Sequence, residues 1–136
     1  MYKKIMVAVD GSETAKQALA EAENIANSYN ATLCIVHTIA SDTDADKKRG
    51  IDLLEQASSS VDTLNLETRL LNADVEYGLN GIADAIAAAV PDWGADLLVV
   101  GTSNRRGLER FFIGSVAEQL VAKVNSSILL VRPPKE

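Results

Sequence analysis

The chain has little of several residue types, and each shortage excludes something. Its one cysteine, Cys34, can form no disulfide within the chain. That cysteine and a single histidine, His37, leave no ligand set for a structural zinc site. Aromatic residues make up only 4% of the sequence, so a core has to be assembled from Ala, Val, Ile and Leu. Basic residues are in the minority, 13 against 19 acidic, for a net charge of −6. An acidic surface repels nucleic acid and anionic lipid, so neither is expected as a partner, although a small anion can still sit in a local basic pocket. No apolar run approaches the roughly 18 residues a membrane helix needs. The opening Met1-Tyr2-Lys3-Lys4-Ile5-Met6 is too short and too charged for a secretory signal. A reducing, cytoplasmic setting is therefore expected, with Cys34 as a buried core thiol among apolar neighbours.

What is present is ordinary for a globular domain: 47% hydrophobic and 24% charged residues. A length of 136 residues suits one domain spanning 1–136, with no linker, repeat or low-complexity tract. Ile5-Met6-Val7-Ala8-Val9 is apolar on both faces, as a buried parallel strand should be. A helix follows, with Ala15, Ala18, Leu19, Ala22, Ile25, Ala26 and Tyr29 at spacings of three and four. Ser12 suits its N-cap, Glu13 its first turn, and Asn30 ends it. Thr32-Leu33-Cys34-Ile35-Val36 reads as a second buried strand.

The charged stretch over residues 41–50 reads as a solvated loop entering a helix striped by Ile51, Leu54, Ala57, Val61 and Leu64. Residues 67–74 alternate weakly, as in a short edge strand, and residues 77–81 read as a loop. A third helix stripe, Ile82, Ala83, Ile86, Ala87 and Val90, is closed by Pro91. Asp96-Leu97-Leu98-Val99-Val100 is another buried strand. A helix through Val116, Ala117, Leu120, Val121 and Val124 then leads to a last strand, Ser127-Ile128-Leu129-Leu130-Val131. The order βαβαβαβαβ implies an α/β, doubly wound, Rossmann-like sheet of five parallel strands in the order 3-2-1-4-5, with helices on both faces.

Ligands of such sheets bind beyond the carboxyl ends of the strands, near the switch in strand order. Three strand ends stand out: Asp10-Gly11-Ser12, His37-Thr38, and the loop that starts at Gly101 and reaches Gly114-Ser115. In that loop Gly101 lets backbone approach a ligand closely, and Asn104 tolerates the left-handed region. The N–H groups at the start of the following helix attract an anion, and Arg105, Arg106 and Arg110 add three cations. This is the composition of a phosphate cradle. A plainer alternative stays open: Ser115-Val116-Ala117-Glu118 fits a capping box, and the arginines can simply be solvated. No dinucleotide fingerprint or Walker loop occurs, and nothing has the form of an activated nucleophile. His37 reads better as a packed or hydrogen-bonded strand-end histidine than as a catalytic partner of an acid, and Asp10 better as a ligand contact or loop-ordering residue than as a general base.

The whole chain resembles a universal stress protein domain. The resemblance rests on residues 2–12, on Val36-His37, on residues 101–116 and on Ile128-Leu129-Leu130-Val131-Arg132-Pro133. The nucleotide-binding branch of that family carries G-x2-G-x9-G-[S/T]. Gly101, Gly114 and Ser115 fall on this pattern, while Asn104 stands at the second glycine and Ala117 where relatives often have a hydroxyl. The resemblance implies that Asp10 faces the sugar or base, that backbone at Val9, Thr38 and Val100 lines an adenine slot, and that Gly101, Asn104, Arg105, Gly114, Ser115 and Val116 surround the phosphates. It implies ATP, alone or with Mg2+, as the ligand, and a homodimer formed through the last strand. A non-enzymatic nucleotide-binding module of the stress response is the leading expectation, with any hydrolysis slow and incidental. The rival is a dimeric stress-related interaction protein without nucleotide, and the backbone at residue 104 separates the two.

Overall fold

A computed structural model of the chain describes residues 1–74, 77, 79–102 and 115–132. Nine elements alternate: β1 (Lys4–Ala8), α1 (Glu13–Tyr29), β2 (Thr32–Ile39), α2 (Asp44–Ser59), β3 (Leu66–Asn72), α3 (Leu79–Trp93), β4 (Leu97–Gly101), α4 (Ser115–Lys123) and β5 (Ser127–Val131). The strands form one sheet in the order β3-β2-β1-β4-β5, and every pairing is parallel. This is the expected order.

Strand alternation sorts the core into two layers. Ile5, Val7, Leu33, Ile35, Leu97 and Val99 face α1 and α2. Met6, Cys34, Val36, Leu98 and Val100 face α3 and α4. Both faces of β1, β2 and β4 are thus covered, which is why these strands read as unbroken apolar runs. Cys34 is fully buried, and burial pushes its thiol pKa up to about 11.

The caps of α1 are as expected. Ser12 Oγ accepts the Ala15 N–H at 3.1 Å, and Asn30 closes the helix in the left-handed region at φ 54°. Four boundaries differ from the sequence expectation. First, α2 begins at Asp44, so most of the charged stretch is helix rather than loop. Thr43 caps it, with Asp44 and Asp46 in the first turn. Gly50 sits buried within α2, where a Cβ would stand 2.7 Å from Leu70 Cδ1; the missing side chain lets the helix settle on the sheet.

Second, α2 stops at Ser59, which leaves Leu64 92% exposed rather than on a buried stripe. Third, α3 starts at Leu79 and continues past Pro91 to Trp93. Pro91 lies in the last turn and costs only a bond at the helix end. The stop comes from Gly94, at φ 85°, which with Ala95 donates to the Val90 carbonyl. Fourth, β2 runs on to Ile39, so His37 and Thr38 lie within the strand, opposite Leu70 and Leu71 of β3.

Candidate functional site

The carboxyl ends of β1, β2 and β4 lie side by side at one edge of the sheet. Beyond Ala8, Val9 continues the ladder for one bond, donating its N–H to the Val36 carbonyl at 2.9 Å. The chain then turns. Asp10 Oδ1 accepts the Ser12 N–H at 2.9 Å, an Asx turn that orders the loop, and Gly11 takes φ 86°, where a side chain would be strained. Ser12 then caps α1. Asp10 is exposed at the mouth, with one carboxylate oxygen held by this turn.

In a parallel ladder the next bond would run from the Thr38 N–H to the Val9 carbonyl. Among the described residues no such backbone bond forms. The Val9 carbonyl instead faces His37 Nδ1 at 2.8 Å. A carbonyl can only accept, so Nδ1 carries the proton. His37 is therefore a clamp between β2 and the β1 end, in line with its reading as a hydrogen-bonded strand-end histidine. Thr38 sits just past the last residue of β2 paired to β1, Val36 opposite Ala8. Among the described residues, its Oγ1 is the one buried side-chain oxygen or nitrogen without a hydrogen-bond partner.

At β4, Val100 is buried on the α3/α4 side, and Thr102 is buried just beyond the strand, donating its N–H to the Val131 carbonyl at 2.9 Å. Gly101 has a packing reason of its own. A Cβ there would stand 2.7 Å from Thr14 Cγ2 and 3.1 Å from the Thr14 carbonyl carbon and oxygen. The sequence reading tied this glycine to a ligand, whereas the structure ties it first to the close approach of α1. Across the sheet, Ser115 is the first helical residue of α4, and its hydroxyl accepts Gln119 Nε2 at 3.3 Å. Val116 packs against the α3/α4 core. Asn104, Arg105 and Gly114, with Arg106 and Arg110, lie outside the described residues.

Two features were not legible in the sequence. One is the Thr38 hydroxyl, since the expectation concerned only backbone there. The other is a cavity of about 130 Å³ between α1 and α2, lined by Val9, Gly11, Ala15, Leu19, Leu53 and Ala57 among others, which undercuts the β1–α1 turn. Among the described residues no group of three metal-ligating side chains forms, and no helix is long and apolar enough to cross a membrane.

This geometry has close counterparts. The sequence profile of the universal stress protein family matches residues 1–132. A universal stress protein of Methanocaldococcus jannaschii is 25% identical over 100% of this chain and 85% of its own length. A Staphylococcus haemolyticus chain carried under the same family name is 34% identical over 96% of this chain and 85% of its own. Among solved structures, a universal stress protein from Archaeoglobus fulgidus in complex with dAMP superposes with a TM-score of 0.75 at 26% identity, covering 96% of this chain and 98% of that one.

Proposed function

The chain belongs to the universal stress protein family, and from that premise we propose that it binds an adenine nucleotide across the ends of β1, β2 and β4. One observation carries the reading: a relative with the same fold at 26% identity forms a complex with dAMP. The open end of this chain's own sheet suits such a ligand. Base and sugar would lie along Val9, Asp10, Thr38 and Val100. Phosphates would lie toward Gly101, Asn104, Arg105, Gly114, Ser115 and Val116, where free helix N–H groups and arginines attract anions. ATP, alone or with Mg2+, is the proposed ligand.

The proposed role is binding in a stress response rather than turnover. The candidate base nearest the site, His37, has its Nδ1 engaged with the Val9 carbonyl, and Asp10 has an oxygen committed to the Asx turn. We further propose a cytoplasmic homodimer. Strand β5 pairs on one side with β4, and Ile128-Leu129-Leu130-Val131 carries no charge to guard its other edge. Pairing with a second copy about a two-fold axis would satisfy both edges.

Mass spectrometry of small molecules released from the denatured purified protein tests the ligand directly, and calorimetry with ATP, ADP and AMP measures its affinity. Heat and a thermal shift with at least one of them are expected, weakening as salt rises because charge contacts to phosphate contribute. No heat and no shift at millimolar nucleotide favour the second reading, an interaction protein without nucleotide. A specific observation speaks for that alternative: the roles found for Asp10 and Gly101, in the turn and against Thr14, are complete without a ligand.

A further inference from the structure

The cavity between α1 and α2 is sorted by polarity. Its floor is apolar and withdrawn from water: Val9, Ala15 and Leu19 are buried, and Leu53 and Ala57 are half-buried. Its mouth is polar and exposed, formed by Ser12, Lys16, Gln56 and Ser60. It follows α1 from the Gly11 turn to Leu19, about two turns into the helix. Of the residues assigned above to base and sugar it shares only Val9, so it is separate from the nucleotide cleft. Protein interiors are closely packed, and a void of about 130 Å³ forfeits contacts along its walls. Small residues hold it open. Ala15 and Ala57 stand on opposite helices, and a Cβ at Gly11 would come within 3.4 Å of Leu53 Cδ1, so the glycine keeps that end clear.

Volume and lining together select the occupant. An apolar protein cavity of about 150 Å³ admits benzene. This one is of similar size, so it suits a single ring and not a fused pair. The mouth decides the charge. Lys16 Nζ lies 3.8 Å from the Glu13 carboxylate, and the exposed Asp10 adjoins Gly11. An entering anion would meet these two carboxylates, and a cation would meet Lys16. An uncharged molecule avoids both. One polar substituent can still be matched at the mouth. The Ser60 hydroxyl is engaged with the Ala57 carbonyl at 2.7 Å, and Ser12 Oγ with the Ala15 N–H at 3.1 Å. The Gln56 amide offers both a donor and an acceptor.

We propose that this cavity is a second ligand site, taking a small uncharged molecule: a single ring with one hydroxyl or carbonyl, its apolar body against Leu19 and Leu53 and its polar group at Gln56. The site does not depend on the nucleotide reading. Phenol, benzoate and benzylamine (as its cation) are the probes, titrated into the full chain and followed by calorimetry and by backbone amide NMR shifts. Phenol should bind with a dissociation constant on the order of 1 mM, more tightly than either charged probe. It should move the amides of Gly11, Ala15, Leu19, Leu53 and Ala57 most. Ala57→Leu fills the cavity and should lose phenol binding. Leu53→Ala widens it and should admit naphthol, which wild type should refuse; this variant keeps the test decisive where Ala57→Leu does not fold. The proposal is overturned by wild type that shows no saturable phenol binding, by amide shifts centred elsewhere, or by undiminished binding in folded Ala57→Leu. Benzoate or benzylamine binding more tightly than phenol overturns it too, as does equal naphthol binding by Leu53→Ala and wild type.

Discussion

Replacing Gly101 by alanine tests whether this glycine serves the protein's own packing. The added Cβ would lie 2.7 Å from Thr14 Cγ2 and 3.1 Å from the Thr14 carbonyl carbon and oxygen. The first contact is closer than real carbon pairs permit, and the second involves backbone, which cannot swing aside as a side-chain tip can. The first turn of α1 has to lift by a few tenths of an ångström, disturbing the packing of Ala15 and Ala18 beneath it, both 5% exposed or less. Overpacking of this kind costs about 1–3 kcal/mol. Against it stands the smaller entropy of the unfolded alanine chain, which offsets about 0.4–1 kcal/mol. The net loss is about 1–2 kcal/mol, a fall in Tm of roughly 4–8 °C for a domain of this size.

Thermal and urea unfolding of the ligand-free protein, followed by circular dichroism, measure this without reference to any nucleotide. The double variant Thr14→Ala with Gly101→Ala adds a sharper criterion. Removing Cγ2 abolishes the 2.7 Å contact but leaves the backbone contacts, so the double variant should recover part of the loss. A Gly101→Ala protein as stable as wild type, or strict additivity in the double variant, would refute the packing argument. Gly101 would then be free to serve a ligand alone.

Two further predictions concern other parts of the fold. The folded Cys34 thiol, with its pKa raised to about 11 by burial, should resist alkylation at pH 8 until the protein unfolds. Because the folded value is raised from 9.0, its contribution is fully present below pH 9 and lost as pH climbs to about 11; relative to Cys34→Ala, stability should fall by about 3 kcal/mol across that window. Leu130→Lys places a charge on the β5 edge and should shift sedimentation from twice the chain mass toward monomer. A wild-type chain that stays monomeric at tens of micromolar sinks the proposed dimer.

Most of the architecture was readable because the strands are short apolar runs and the alternation of elements admits few topologies. Ser12 and Asn30 were readable because caps are local chemistry. The start of α2 was not. Its Asp-rich stretch and Gly50 look like a loop, and only the contact of Gly50 with Leu70 explains a glycine inside that helix. Leu64 was assigned to a stripe because periodicity alone does not say where a helix stops. At the candidate site, sequence identified the ends of β1 and β4 to within a residue but ended β2 at Val36 rather than Ile39, and it did not show what these residues touch. Thr38 became informative only through register: it lies two residues past the point where β1 and β2 last pair, and its partner Leu71 comes from a third strand.

The two ends of the sheet solve different problems. At the amino end the polar groups are met within the protein. Asp96 accepts the Lys3 and Lys4 N–H groups at 2.9 and 3.1 Å, tying β1 to the start of β4. Lys4 Nζ bonds the Trp93 carbonyl at the end of α3 and lies 4.4 Å from the centre of the Trp93 ring. Trp93 Nε1 donates to Glu67 Oε1 at 3.1 Å, and Arg69 pairs with Asp92 at 3.0 Å. One tryptophan thus joins β1, α3 and β3. At the carboxyl end β1 stops while β2 runs on, the Val9 carbonyl is diverted to His37, and the Thr38 hydroxyl stays unmet. A fold held at one end by bonds that need nothing from outside can leave groups incomplete at the other. Among the described residues, the one buried polar side-chain atom left without a partner therefore lies at the carboxyl edge and not at the amino edge.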